Sequence, residues 1–485
     1  MGDVPVLDPS EAPRARRWDA LVLGSGLPAL VAAARIGSAG QRVLVVEEAE
    51  RTTLPPALKE PFFLGGLRDE GVLDACLRTL TVPLIDRRRL VKERLAYQIA
   101  ADPYRLDIGN PMLTTEERVA WGLAKPDDAQ TLVRRLIEAS EIERQLLLEA
   151  PFARIGRRLP GTRGAPAVGH HKRGLPGDAS SARGPLARVL ASQVRALSNL
   201  GRAAPTPEAQ ARLLGLGLAG GVGFADEPPW LIDLLRKRVT AQFGDIRTLT
   251  GRLELVSVSG QPGIRLARTG ELWLGRAMLL GAAPSALHDL YGEDRMHPAP
   301  DLLATKRPRA YRAVFLFRVP TSLLPEGMGA RLILPGRTRG QDVDGPPAGL
   351  DGPEPDVTVT AFPCQTHPRR VDLVARAVID EQDPARLAER LPGLRRAIGE
   401  RLRALMPFVG DELQSVELDM PRWDSDDGWL EDPGPGAGWP GEIDLRLSAR
   451  PPIYHLDRAA VAGLGLEGDL LLGWRGGDAI AAELA

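Results

Sequence analysis

Apolar positions recur along the chain in two periods, and their alternation outlines a mixed α/β protein. The first clear unit is DALVLGSGLPALVAAARIGSAGQRVLVVE, Asp19 to Glu47. An apolar strand, Ala20 to Leu23, meets the glycine turn Gly24-Ser25-Gly26. An alanine-rich helix follows, and a second strand, Arg42 to Val46, ends on an acid. Strand, turn, helix and strand in this order form a βαβ unit. Downstream, helices are predicted at Gly71–Leu80, Gln130–Leu148, Leu186–Leu200 and Pro207–Leu218, and a hairpin at Leu95–Ile108 turning at Asp102-Pro103. Thr114 followed by Thr115-Glu116-Glu117 reads as a capped helix start. Leu231, Leu234, Leu235, Val239 and Phe243 repeat at helical spacing between Pro229 and Gly244.

The second half reads as strands and two further helices. Strands are predicted at 245–249, 252–259, 263–267 and 272–280, the last running into Gly281-Ala282-Ala283-Pro284. A β section starts at Tyr311, another strand covers 356–362, and helices cover 370–380 and 387–405. Near the end come a strand at 452–456, the glycine-spaced run Gly463–Gly468 and a terminal helix.

The turn in the first unit has a chemistry. Gly24 permits the sharp exit from the strand, Gly26 lets a pyrophosphate approach the backbone, and Ala29 is the small residue needed where helix packs on strand. The helix N-terminus offers N–H groups and a positive dipole end to phosphate. Glu47 follows Gly26 at the distance from which a carboxylate reaches both ribose hydroxyls of an adenosine. Pro28 falls in the first helical turn, where its missing N–H costs nothing.

Composition narrows the partners. The chain has 485 residues, 44% hydrophobic and 26% charged, with a formal net charge of -1. That length suits two or three domains, and the charge argues against nucleic-acid binding through a basic surface. Two cysteines, Cys76 and Cys364, show neither a CxxC nor a histidine partner pattern and are expected to be buried thiols. No apolar h-region or run of membrane-spanning length occurs, so a cytoplasmic protein without a transmembrane segment is expected. Glycine and proline cluster near Met1–Arg17, expected to be a disordered tail over 1–17, and in expected long loops at 157–184, 335–356 and 424–452. The 157–184 segment is basic and contains His170-His171, which leaves room for peripheral contact with an acidic lipid surface.

The opening βαβ unit, the strand with a small-residue exit at Ala282-Ala283-Pro284 and the closing Gly463–Gly468 turn lie far apart in sequence. Together they resemble the FAD-dependent phytoene desaturase and amine oxidase superfamily, whose nucleotide fold is similar to that of glutathione reductase. LLPEGMG (Leu323–Gly329) and LRALMPFVGDEL (Leu402–Leu413) are similar to its substrate-domain segments. The resemblance implies an α/β fold: a Rossmann-like FAD/NAD(P)-binding domain from 18–110, 226–295 and 451–485, and an α+β substrate domain from 111–225 and 296–450. It implies FAD as cofactor, with cofactor-binding residues Gly24, Ser25, Gly26, Leu27, Glu47, Glu48, Leu255, Val256, Ala282, Ala283, Pro284, Asp457, Gly465, Leu466 and Glu467. Leu255 to Val258 match an adenine-contacting strand. A positive helix end near Gly465 would favour negative charge on the reduced flavin.

The sequence departs from that pattern twice. Arg51 is followed by Thr52-Thr53 where the superfamily often has paired glycines, the nearest pair being Gly65-Gly66. Asp457-Arg458 stands where a Gly-Asp or Gly-Glu is common. The implied activity is dehydrogenation of an apolar or amine-bearing small molecule by hydride transfer to flavin N5. The alternatives are a flavin-less binding or escort-type protein on the same scaffold, and nicotinamide binding at the first unit. No catalytic residue and no metal site stands out. His288, His297 and His455 read as surface or packing residues, and Trp423, Trp429 and Trp439 as cover for a loop or the wall of an apolar tunnel.

Overall fold

A computed structural model describes residues 6–7, 16–48, 56–67, 71–101, 103–149, 153–155, 184–201, 205–224, 231–282, 308–336, 354–381, 384–418, 429–431 and 443–485. The principal elements are β1 (Arg16–Leu23), α1 (Leu27–Ser38), β2 (Val43–Glu48), β3 (Leu95–Ala101), β4 (Tyr104–Gly109), α2 (Pro126–Glu149), α3 (Gly184–Leu197), α4 (Pro207–Leu218) and α5 (Leu231–Ala241). They continue with β5 (Asp245–Leu249), β6 (Leu253–Val258), β7 (Gln261–Leu266), β8 (Leu272–Leu280), β9 (Pro308–Pro320), β10 (Arg331–Leu334), β11 (Val357–Pro363), β12 (Arg370–Ile379), α6 (Pro384–Leu405), β13 (Pro452–His455) and α7 (Gly465–Leu484).

The first sheet gathers strands from three distant parts of the chain. Its order is Val6–Leu7, β6, β7, β8, β1, β2, β5. β8, β1, β2 and β5 run parallel, β13 lies parallel to the end of β8, and β6–β7–β8 form an antiparallel meander. The central strands are buried on both faces, which is why Ala20–Leu23 and Val43–Val46 read as unbroken apolar runs. On one face α1, α5 and α7 bury Leu30, Leu235 and Leu471. A side chain at Gly473 would collide with the Pro28 carbonyl and with Val31, so the axes of α1 and α7 close to backbone contact.

The second sheet, ordered Gln414–Val416, β9, β12, β11, β10, β3, β4, has two covered faces. Phe315, Phe317 and Leu373 meet Leu394, Ile398 and Leu402 of α6 on one of them. Val314, Leu316 and Val374 meet Ala57 and Leu58 on the other. Helices α2, α3 and α4 join through Leu136, Leu190 and Leu214.

Several expectations are corrected. Residues 370–380 form strand β12, paired on both edges. Val371, Leu373, Ala375, Ala377 and Ile379 fill one core at a period of two, and that pattern overrides the helix preference of the Ala-Arg-Ala stretch. The hairpin β3–β4, assigned to the nucleotide domain within 18–110, hydrogen-bonds into the second sheet through the β10–β3 pairing. Within the expected tail 1–17, Val6–Leu7 pairs with Ser257–Val258 and Arg16–Arg17 open β1. The helix near Thr114 starts earlier, at Pro111. Asn110 caps it by accepting from the Leu113 N–H at 2.9 Å, while Thr114 accepts from the Gly109 N–H. Phe243, read as the last apolar position of α5, is 79% exposed at φ +61°.

Candidate functional site

The glycine turn sits where β1, β2 and β8 end together. Gly24 has φ +101°, and its N–H donates to the Val46 carbonyl at 2.8 Å. A side chain there would press on the Gly281–Ala282 backbone, at 3.3 Å. Left-handed backbone and a close neighbour leave only glycine. A side chain on Gly281 would fall 2.5 Å from the Ala29 β-carbon, so that position is held to glycine where helix α1 packs on β8. Helix α1 has no side-chain N-cap and no acid in its first turn, leaving its positive end to an anion. Ser25 is fully buried, and its hydroxyl accepts from Lys59 Nζ at 2.9 Å. Lys59 thus places a cation beside the turn, a contact with no motif to announce it in the sequence.

Glu47 is next to last in β2, opposite Thr248 in the β2–β5 register. Its carboxylate accepts from both terminal nitrogens of Arg236, one of them at 3.1 Å, and from Thr248 Oγ1 at 2.6 Å. Burial pushes its pKa up, but Arg236, Thr248 and Lys59 prevail and hold it down at about 2. It is therefore a fixed anion whose two oxygens already have donors from α5 and β5. Glu48 is half-buried beside it, and Leu255 and Val256 are buried in β6.

At the C-terminal end, Gly465 has φ +55°, and a side chain on it would overlap the Leu197 carbonyl. The segment after α3 is clasped onto this motif. The Asn199 N–H donates to the Ala462 carbonyl at 2.7 Å, and Asn199 Nδ2 donates to Asp469 at 3.0 Å. Arg312 donates to Asn199 Oδ1 at 3.2 Å. Asp457 precedes a 3₁₀ turn without capping it, and Arg458 makes a bidentate pair with Asp469 at 2.8 and 2.6 Å. Glu467 is fully buried and pairs bidentately with Arg212 at 2.7 and 2.6 Å; Arg212 also donates to the Ser140 carbonyl and hydroxyl. Glu467 thereby bolts α7 to the α2–α4 layer.

A cavity of about 340 Å³ runs between the two sheets. Leu27 and Lys59 border it at the glycine turn, Leu464 and Leu466 at the C-terminal motif, and Phe62 and Arg376 on the side of the second sheet. That volume and position between two sheets suit a small-molecule site. Glu60 also lines it. Burial drives its carboxyl up to about 8, although it accepts from the Ile232 N–H at 2.9 Å. Arg376 stands on the same wall and donates to the carbonyls of Ala57, Leu58 and Glu60.

Of the predicted site residues, Gly24, Ser25, Gly26, Leu27 and Ala282 come together at the turn. Glu47 and Glu48 end the adjacent strand. Leu466 reaches the shared cavity, and Ala283 and Pro284 lie outside the described residues. So do Thr52-Thr53, His170-His171, His288, His297, Trp423 and Trp439, whereas Gly66 packs beside Glu467. Trp429 pairs with Tyr311 at the edge of β9, and His455 is buried on β13. Both cysteines are buried, but Cys364 does have a histidine neighbour: Sγ lies 3.8 Å from His367 Nδ1 within one turn. Among the described residues no cluster of three or more metal ligands occurs, and no helix is long and apolar enough to cross a membrane.

No protein-family model matches the chain, and no curated protein matches it by sequence. Solved structures do match in fold. An oxidoreductase from Methanosarcina mazei is similar over 94% of this chain and 99% of its own, at 15% identity and TM-score 0.53. A double mutant of putrescine oxidase is similar over 96% of this chain and 100% of its own, at 13% identity and TM-score 0.54. Wild-type putrescine oxidase bound to putrescine gives 14% identity and TM-score 0.51 over the same shares of the two chains. At these identities the likeness shows a shared fold spanning nearly the whole of both chains.

Proposed function

We propose that the chain is a FAD-dependent oxidoreductase that dehydrogenates an apolar or amine-bearing small molecule. The observation that carries this reading is the glycine turn. A left-handed Gly24, an uncapped helix N-terminus and the Lys59 ammonium at Ser25 together make a cradle for a pyrophosphate. Leu27 and Lys59 beside that cradle and Leu464 and Leu466 of the C-terminal motif wall the same cavity, which supports a dinucleotide that reaches from the first toward the second. In this arrangement the FAD domain is gathered from segments within 18–94, 231–282 and 451–485, and the second sheet with α6 supplies the substrate side. The fold likeness to an oxidoreductase and to putrescine oxidase agrees with this class.

When bound, the flavin supplies a hydride acceptor at N5. The protein's own residues orient and enclose. Lys59 and the first turn of α1 hold the phosphates. Glu47, kept in place by Arg236 and Thr248, presents carboxylate oxygens at the end of β2 that accept from the ribose hydroxyls. Leu27, Phe62 and Leu466 give the cavity apolar wall, while Lys59, Arg376 and Asp469 line it with charge. Glu60 holds a proton at its carboxyl up to about pH 8 on the same wall. The test is to purify the protein, record its absorbance, denature it and identify the released chromophore, then assay oxidation across a panel of amines and apolar alcohols. Released FAD with turnover of one substrate class supports the proposal; a colourless protein that takes up no added FAD overturns it.

One observation favours a second reading, a flavin-less binding protein on this scaffold. The Leu197 carbonyl and Asn199 are closed onto Gly465 and Asp469, at the motif expected to face a flavin. That reading gains if apo protein binds ADP but discriminates against the flavin half of FAD.

A further inference from the structure

We infer that the cavity binds a small molecule by its carboxylate, held by Arg312, Arg376 and Thr358 of the second sheet. The inference rests on the reading above, and narrows the apolar or amine-bearing substrate to one that carries an acid group. The strand registers bring the three side chains together. Arg376 of β12 stands directly opposite Thr358 of β11. Arg312 of β9 stands opposite Val378, two positions from Arg376 on β12. Opposed residues share a face of a sheet and alternate residues do too, so Arg312, Arg376, Thr358 and Val378 all rise from one face. Val314, Leu316 and Val374 of that face pack on Ala57 and Leu58, and all four residues line the cavity. Arg312 and Arg376 are diagonal neighbours, within reach of one ligand group for side chains of that length.

The charge of the wall points to the same ligand. Among the described residues, five basic side chains and four acids line the cavity. Asp356 is held by Arg195 and Asp469 by Arg458, while Glu354 lies 3.9 Å from Arg401. Glu60, the fourth acid, keeps its proton to about pH 8. The wall therefore carries net positive charge at neutral pH. Arg312 donates to Asn199 Oδ1 and the Ser198 carbonyl, and Arg376 to the carbonyls of Ala57, Leu58 and Glu60. These neutral acceptors fix both guanidiniums without cancelling their charge. Arg376 is 8% and Thr358 9% exposed, so a carboxylate that reaches them meets its donors where water screens little. The planar guanidinium matches a carboxylate, and Phe62, Leu213 and Leu216 offer apolar wall to the rest of the molecule. The same charge disfavours a second ammonium, so a diamine is a poor fit.

Calorimetric titration of the full-length protein, as purified, tests this with probes of one shape: phenylpropionate, phenylpropanol and phenylpropylamine. The acid is expected to bind about tenfold more tightly than the alcohol, and the amine no more tightly than the alcohol. Arg312→Met should weaken binding of the acid about tenfold and Thr358→Val about threefold, with the alcohol unaffected. Arg376 also holds the backbone at Ala57 to Glu60, so the test rests on the other two positions, with melting temperatures to confirm folding. Acid and alcohol bound alike, no probe bound, or variants that keep the full preference for the acid would each overturn the proposal. So would an Arg312→Met variant that loses as much affinity for ADP as for the acid, since the cations would then serve cofactor phosphates. Binding as the readout keeps this question apart from the flavin. A colourless protein that takes up no FAD but prefers the acid keeps the carboxylate subsite and loses the oxidoreductase reading. A FAD-containing protein indifferent to the probes does the reverse.

Discussion

Glu47 and Glu60 show how two buried carboxyls in neighbouring parts of the molecule acquire opposite properties. Glu47 meets two cations and a hydroxyl, so its folded pKa of about 2 lies below the ordinary 4.5. Its contribution to stability is complete above pH 4.5 and is lost as pH falls through 2. A shift of that size corresponds to a contribution on the order of 3 kcal/mol at neutral pH. Glu47→Gln should therefore lower stability at pH 7 and flatten its decline in acid, as urea unfolding followed at several pH values will reveal. Glu60 has the opposite sign. Its folded pKa of about 8 means that the folded state keeps a proton which the unfolded chain gives up, so stability falls as pH rises from 4.5 to 8. Glu60→Gln, which imitates the protonated form, is expected to remove that decline. Lys59 belongs to this scale as well. Replacing it with methionine should weaken FAD or ADP binding by roughly tenfold, the worth of one charge-assisted hydrogen bond, measured by calorimetric titration; an unchanged affinity would take Lys59 out of the cradle.

Among the elements, α7 carries the most consequence, because it touches both α1 and the α2–α4 layer. Glu467 and Arg212 form a buried pair with no solvent to rescue either partner. Arg212→Met or Glu467→Met alone should cost about 3–5 kcal/mol, while the two combined should recover much of that loss. A thermal-melt double-mutant cycle reads the difference, and additive losses would show that the pair is not coupled. How far these elements can be read in the sequence follows the same physics. Strands buried on both faces and glycine turns are local patterns, so β1, α1, β2 and β8 lie within a residue or a few of where the hydrophobic runs put them. The strand β12 was misread because Ala, Arg and Leu favour helix locally, and only the flanking β9 and β11 impose the period of two. The partners of Glu47 and Glu467 were invisible for a different reason. Arg236 lies 189 positions and Arg212 lies 255 positions away from their carboxylates, on polar positions that look like ordinary helix surface.

For the whole molecule, two sheets from interleaved chain segments border a cavity, with the glycine turn at one end and the clasped C-terminal motif at the other. If the turn holds a pyrophosphate as proposed, the clasp sets the space left for the ring. The proposed function requires the cavity to take FAD as a unit, and equilibrium titration of cofactor-free protein with FAD, followed by quenching of flavin fluorescence, decides whether it does. Saturable binding at one FAD per chain, competed by ADP and weakened by Lys59→Met, is expected. Titration to excess FAD with no quenching, or with binding indifferent to ADP, would contradict it.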